Sequence, residues 1–147
     1  MTVVAGEPDY GIQATTPLQV LDPSGIKSPL IIKSTDPFKV AVEFTILSGL
    51  VPLGPHLSYE VRYFAERVGP GTDYDLGTVT KPTVAGQKTY NATTPTGSET
   101  VRDITAGTVA DGLYTVGAIV SFKMDGATPT PYPMTVYVTG PAVEVYT

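Results

Sequence analysis

Fourteen prolines and fifteen glycines fall at short intervals along the 147 residues, so few windows can hold a three-turn helix without a breaker inside it. Between the breakers the chain is rich in Val, Ile, Thr, Tyr and Phe, whose branched or aromatic side chains suit a pleated, half-buried surface. Together these features predict an all-β chain of short strands and tight turns.

Alternation locates the strands. After Asp36-Pro37, the residues Phe38, Val40, Val42, Phe44 and Ile46 alternate with Lys39, Ala41, Glu43 and Thr45, which assigns one face to a core. Beyond a Pro/Gly-rich loop, Leu57, Tyr59, Val61 and Tyr63 alternate with Ser58, Glu60, Arg62 and Phe64, the last being apolar where a polar residue is expected. From Gly69 to Thr100 the pattern weakens. Tyr74 to Val79 and Lys88 to Thr93 are the candidate strands there, with turn chemistry at Gly69-Pro70-Gly71 and Pro95-Thr96-Gly97. Regularity returns at Glu99 to Ile104. After Asp111-Gly112, the residues Tyr114, Val116, Ala118, Val120 and Phe122 stand opposite Thr115, Gly117, Ile119, Ser121 and Lys123. In the last segment Met134, Val136 and Val138 face one way and Tyr137 the other, until Gly140-Pro141 passes the pattern to Val143 and Val145. That change of parity predicts a β-bulge, one extra residue against the partner strand.

About seven to eight strands with turns roughly every ten residues favour an antiparallel sandwich over a parallel sheet, which needs intervening helices. Residues 37–147 are assigned to the sandwich. Residues 1–36, with short apolar stretches at Ile12, Leu18 to Leu21 and Leu30 to Ile32, are assigned to an extended arm or edge strands of the same domain. No disulfide holds it, because the chain has no cysteine; thiolate metal sites and cysteine nucleophiles are excluded for the same reason.

The segment Ala110-Asp111-Gly112-Leu113-Tyr114-Thr115-Val116 resembles the start of strand F in immunoglobulin-like domains. The resemblance implies an immunoglobulin-like sandwich in which Tyr114 is a structural tyrosine corner, its hydroxyl bonded back to the preceding backbone. It also implies that Val116 stands where many members carry a cysteine, and that Tyr59 or Val61 replaces the usual core Trp. The missing cysteines and Trp set antibody-type domains aside and leave fibronectin type III-like and bacterial immunoglobulin-like modules. A fold does not imply a function.

Charge and motifs narrow the function classes. The net charge is −5 with Lys and Arg scattered singly, so there is no basic stripe for nucleic acid or an anionic membrane surface. No run approaches the roughly 18 apolar residues of a membrane helix, which predicts a soluble chain without membrane insertion. The segment Met1 to Tyr10 lacks the basic and apolar regions of a secretory signal. The compartment is left open: cytoplasmic, or part of a larger assembly. The single histidine, His56, lies in a turn with no advertised catalytic partners and cannot furnish a zinc site alone. Asp73 and Asp75, with Asp103, Asp111 and Asp125 near other turns, are weak calcium candidates; Asp near Gly ordinarily nucleates turns instead. Asn91-Ala92-Thr93 matches a glycosylation acceptor pattern, a short motif that arises by chance. No cofactor motif is present, and the expectation is that the chain is not an enzyme.

The sharper signal is geometrical. If the strands after Leu57, Gly112 and Met134 are neighbours, alternation points Phe64, Ile119 and Tyr137 outward on one sheet, and exposed apolar clusters of this kind mark partner surfaces. The sequence therefore predicts a non-enzymatic structural or protein-interaction module whose partner is a protein, including a second copy of itself in a homo-oligomer. It binds through an exposed sheet face, the amino-terminal arm, or both. The rival is a carbohydrate-binding sandwich, in which exposed Tyr side chains stack on a glycan.

Overall fold

A computed structural model describes residues 12–14, 16–25, 28–46, 57–95, 97–124 and 130–147, with backbone only for 130–134. His56, Asp125 and the segment Met1 to Tyr10 lie outside the described residues. The elements in that set are eleven strands, several of them short pieces. They are β1 (Ile12–Gln13), β2 (Gln19–Leu21), β3 (Ile31–Lys33), β4 (Phe38–Ala41), β5 (Phe44–Ile46), β6 (Leu57–Arg67), β7 (Tyr74–Pro82), β8 (Thr89–Tyr90), β9 (Arg102–Ile104), β10 (Gly112–Met124) and β11 (Thr130–Tyr146).

The long alternating segments build the larger sheet, in the order β3-β11-β10-β6-β7. Its ladders are antiparallel except for β3, which runs parallel to the end of β11. Facing it are two three-stranded ladders, β1-β5-β8 and β2-β4-β9. They are halves of one layer, because their central strands β4 and β5 are separated only by Val42 and Glu43. The interruption leaves the Val42 carbonyl free of the ladder, and the Thr100 hydroxyl donates to it at 2.6 Å. The stretch preceding Phe38 contributes strands to its own sandwich, with β1 on β5, β2 on β4 and β3 on β11.

Alternation puts Val40, Phe44 and Ile46 from one layer against Tyr59, Val61, Tyr63, Ala118, Val120 and Phe122 from the other. Three tyrosines bring hydroxyls into this apolar space and satisfy them at its margin. Tyr59 Oη donates to the carbonyls of Ser98 (2.8 Å) and Glu99 (3.0 Å), Tyr63 Oη donates to Thr100 O (2.5 Å), and Tyr90 Oη accepts from the Val84 N–H (2.8 Å). Among the described residues no buried side-chain polar atom lacks a partner.

The expected irregularity near the carboxyl end is present. Thr115 pairs with Ala142 and Gly117 with Thr139, so Gly140 and Pro141 together oppose Val116. A Cβ on Gly140 would lie 2.6 Å from the Val116 carbonyl oxygen, which is why the bulge is built on glycine. A second bulge is hidden in the weakly patterned middle third. Tyr63 pairs with Gly77 and Phe64 with Asp75, leaving Leu76 as the extra residue.

Candidate interaction surface

The outer face of the five-stranded sheet follows from the pleat. On β6 the inward residues Tyr59, Val61, Tyr63 and Ala65 leave Arg62, Phe64 and Glu66 facing out. On β10 the inward residues Tyr114, Val116, Ala118 and Val120 leave Leu113, Gly117 and Ile119 facing out. Cross-strand register aligns these into rows: Arg62, Ile119 and Tyr137 in one, Phe64, Gly117 and Thr139 in the next.

The three residues singled out from the sequence thus share one face. Ile119 stands directly opposite Tyr137, and the Phe64 and Tyr137 rings, two strands apart, meet at 5.7 Å between centroids with a 42° tilt. Gly117, on the strand between them, makes that meeting possible. A Cβ there would lie 2.7 Å from the Phe64 ring and 3.3 Å from the Tyr137 hydroxyl. The rings cover Gly117 in return, and its backbone is buried. Gly117→Ala is therefore expected to push the two rings apart at a cost of about 1–3 kcal/mol, the usual penalty of overpacking; urea unfolding measures the loss, and an unchanged midpoint would show that the rings yield freely.

Beside the rings is a shallow depression of about 350 Å³ lined by Phe64, Ile119, Tyr137 and Tyr74, with Arg62 and Asp75 at its rim. Arg62 and Asp75 approach to 3.8 Å and both are well exposed, so this pair shapes charge and adds little stability. Further along the same face lie Ile31, Leu113 and Tyr146, all exposed; Ile31 and Leu113 flank Glu144 in one cross-strand row. Four of the large apolar side chains that the described surface exposes, Ile31, Leu113, Tyr137 and Tyr146, therefore stand on a single sheet face.

The other candidate residues are placed as follows. An Asp73 carboxylate oxygen accepts from the Arg67 backbone N–H (2.8 Å), and Asp75 accepts from the Gly77 N–H (2.8 Å), the side-chain-to-backbone bonds by which Asp shapes turns and bulges. Among the described residues no three His, Cys, Asp or Glu side chains converge to hold a metal ion. Tyr114 Oη donates to the carbonyl of Ala110, four residues back, at 2.8 Å. Arg67 braces that bond: its guanidinium donates to Tyr114 Oη (3.2 Å) and Asp111 O (2.7 Å) and sits 5.4 Å from the centre of the Tyr114 ring. Asn91 Oδ1 accepts from the Thr93 N–H (2.9 Å), a local turn.

Sequence reasoning missed Gly117, the arginines at the sheet margins and the polar partners of the core tyrosines. A signal existed for the first: a glycine inside a strand pattern marks a bulge or a close approach. The tyrosines carry their own electrostatic consequence. Burial first, then repulsion from Tyr63, Glu99 and Tyr90, pushes the Tyr59 hydroxyl far above its ordinary range. Burial likewise raises Tyr63 and Tyr90.

These features define a cysteine-free, all-β sandwich whose larger sheet carries a cluster of apolar and aromatic side chains on its outer face. No protein-family model matches the chain, and no curated protein matches it in sequence. Among solved structures it is similar to AggA, the major subunit of aggregative adherence fimbriae type I from Escherichia coli, with a TM-score of 0.50 over 95% of this chain and 99% of that chain. Sequence identity is 10%, so the likeness is one of fold.

Proposed function

We propose that this chain is a non-enzymatic structural subunit that associates with further copies of itself through the outer face of the five-stranded sheet, centred on Phe64, Ile119 and Tyr137. The observation that carries the reading is the collection of exposed apolar side chains on that one face, since soluble domains rarely gather such residues without a partner. The size fits. Five strands about 4.8 Å apart and a thirteen-residue β10 rising about 3.3 Å per residue bound the face at roughly 20 by 40 Å, of the order of the 800 Å² that each partner buries in a standard interface. AggA's role as a fimbrial major subunit supports the reading as an example of an assembling protein with this fold. We read the sandwich as immunoglobulin-like, with residues 1–36 part of the same domain and Tyr114 as its corner; the parallel β3-β11 pair and the Tyr114-to-Ala110 bond support this.

Sedimentation over a range of concentrations tests the assembly. The parent chain is expected to associate, and Tyr137→Lys to weaken association by about 30-fold, the effect of removing one interface hot spot. A parent that stays monomeric at high concentration sinks the proposal. Deleting everything before Phe38 is a poor test, because it removes β1, β2 and β3 from the sandwich itself. A second reading, a glycan stacked on Tyr137 over the adjacent depression, rests on that residue being 52% exposed. An array of glycans showing no binding sets it aside.

A further inference from the structure

The five-stranded sheet ends on one side at β7, a nine-residue strand whose one ladder partner among the described residues is β6. An edge strand of this kind is a template for pairing with another chain. Here it is occupied by a side chain from the opposite layer. Arg102, on β9, donates from Nε to the Leu76 carbonyl (2.7 Å) and from a terminal nitrogen to the Thr78 carbonyl (3.3 Å). One guanidinium thus takes two acceptors of the edge, one on either side of Gly77.

The local sequence is fitted to this. Gly77, between the two acceptors, has a φ of +96°, and a Cβ on it would lie 2.2 Å from Arg102 Nε. The bulge at Leu76 supplies that backbone turn, and the Asp75 carboxylate fixes it by accepting the Gly77 N–H. Beyond the guanidinium, Lys81 of β7 meets Glu99 at 3.7 Å, so the run from Glu99 to Arg102 lies along the same margin.

We propose that Arg102 is a block on the β7 edge, which without it pairs antiparallel with β7 of a second copy of this chain. The occupant is a second copy because the regular run of that edge beyond the bulge, Thr78 to Lys81, can meet itself about a two-fold axis, each strand supplying to its partner the backbone groups it needs. The block confines association to other surfaces of the sandwich, and the inference does not rest on the function proposed above.

The experiment uses the Tyr137→Lys chain, in which association through the outer face is weakened, and compares variants at the same concentrations. Arg102→Ala and Arg102→Met are added separately; the methionine keeps an apolar stem over β7 and loses every donor. Sedimentation is expected to show dimers or larger species at a concentration about tenfold or more below that of the chain with Arg102 intact. Adding Thr80→Pro, which removes an edge N–H on the side of β7 that faces away from β6, is expected to restore the original distribution. Folded Arg102 variants with unaltered mass overturn the proposal, as do larger species that persist with Thr80→Pro. Circular dichroism reports whether each variant folds. If Arg102→Ala unfolds, Arg102→Met decides; unfolding of both makes Arg102 a residue of the fold and overturns the block.

Discussion

Raising the pH from 10 to 12 is expected to remove about 5 kcal/mol of stability and unfold the protein, because Tyr59 and Tyr63 cannot ionise where they are. Each side chain is fully buried, and burial is the main cause that lifts each hydroxyl above its ordinary value of 10.0. In the unfolded chain both ionise near that ordinary value. Above it the folded state therefore holds more protons than the unfolded state, and stability falls as pH rises. The contribution is fully present below pH 10 and is lost from there upward, at about 1.4 kcal/mol per pH unit for each tyrosine. Tyr90, raised in the same direction, adds to the loss. Phenolate absorbance and circular dichroism, followed together, are expected to change in one cooperative alkaline step. If all the tyrosines titrate near their ordinary value while the dichroism is unchanged, the account of the core is wrong.

Phe44→Ala is expected to cost about 4 kcal/mol, the middle of the range for deleting a buried aromatic ring. Phe44 joins the layers: its ring stacks on Tyr90 at 5.2 Å and forms T-shaped pairs with Tyr59 at 5.1 Å and Phe122 at 5.8 Å. Tyr90 lies in its own layer, Tyr59 and Phe122 in the other. Removal loses the transfer energy of the ring and three aromatic contacts, and leaves a cavity bounded by rings that cannot collapse without dragging their hydroxyls from Ser98 and Val84. Urea unfolding checks the figure. The same change at half-buried Phe64, on the outer face, is expected to cost a fraction of it, and that contrast separates a core ring from a surface one.

Where the two-residue period is unbroken, the sequence alone placed the strands. Phe38 to Ile46, Leu57 to Tyr63 and Tyr114 to Phe122 carry buried residues at every second position, and the parity change at Gly140-Pro141 marked a real bulge. The same period put Phe64, Ile119 and Tyr137 on one side of their sheet, because which face a residue takes is fixed by counting along its own strand. The count fails where a bulge intervenes. Leu76 and Val79 are both buried, an odd spacing that obscured β7, and its cause is an extra residue defined by pairing with β6. Among the described residues eleven strands, several of them short, stand where seven or eight were expected, partly because one alternating run changes partners at Val42 and Glu43.

Only the tertiary structure decided what the glycines and arginines do. Gly117 admits rings from β6 and β11, and Gly77 admits an arginine from the other layer, 25 positions later in the chain. Arg102 and the tyrosine hydroxyls find their partners across comparable separations, Tyr63 reaching Thr100 from 37 residues away. No local pattern encodes such a meeting, since it depends on how two layers are stacked. The sequence therefore determined the faces of the sandwich, through a short-range alternation, while the closing of its β7 edge was settled by long-range packing.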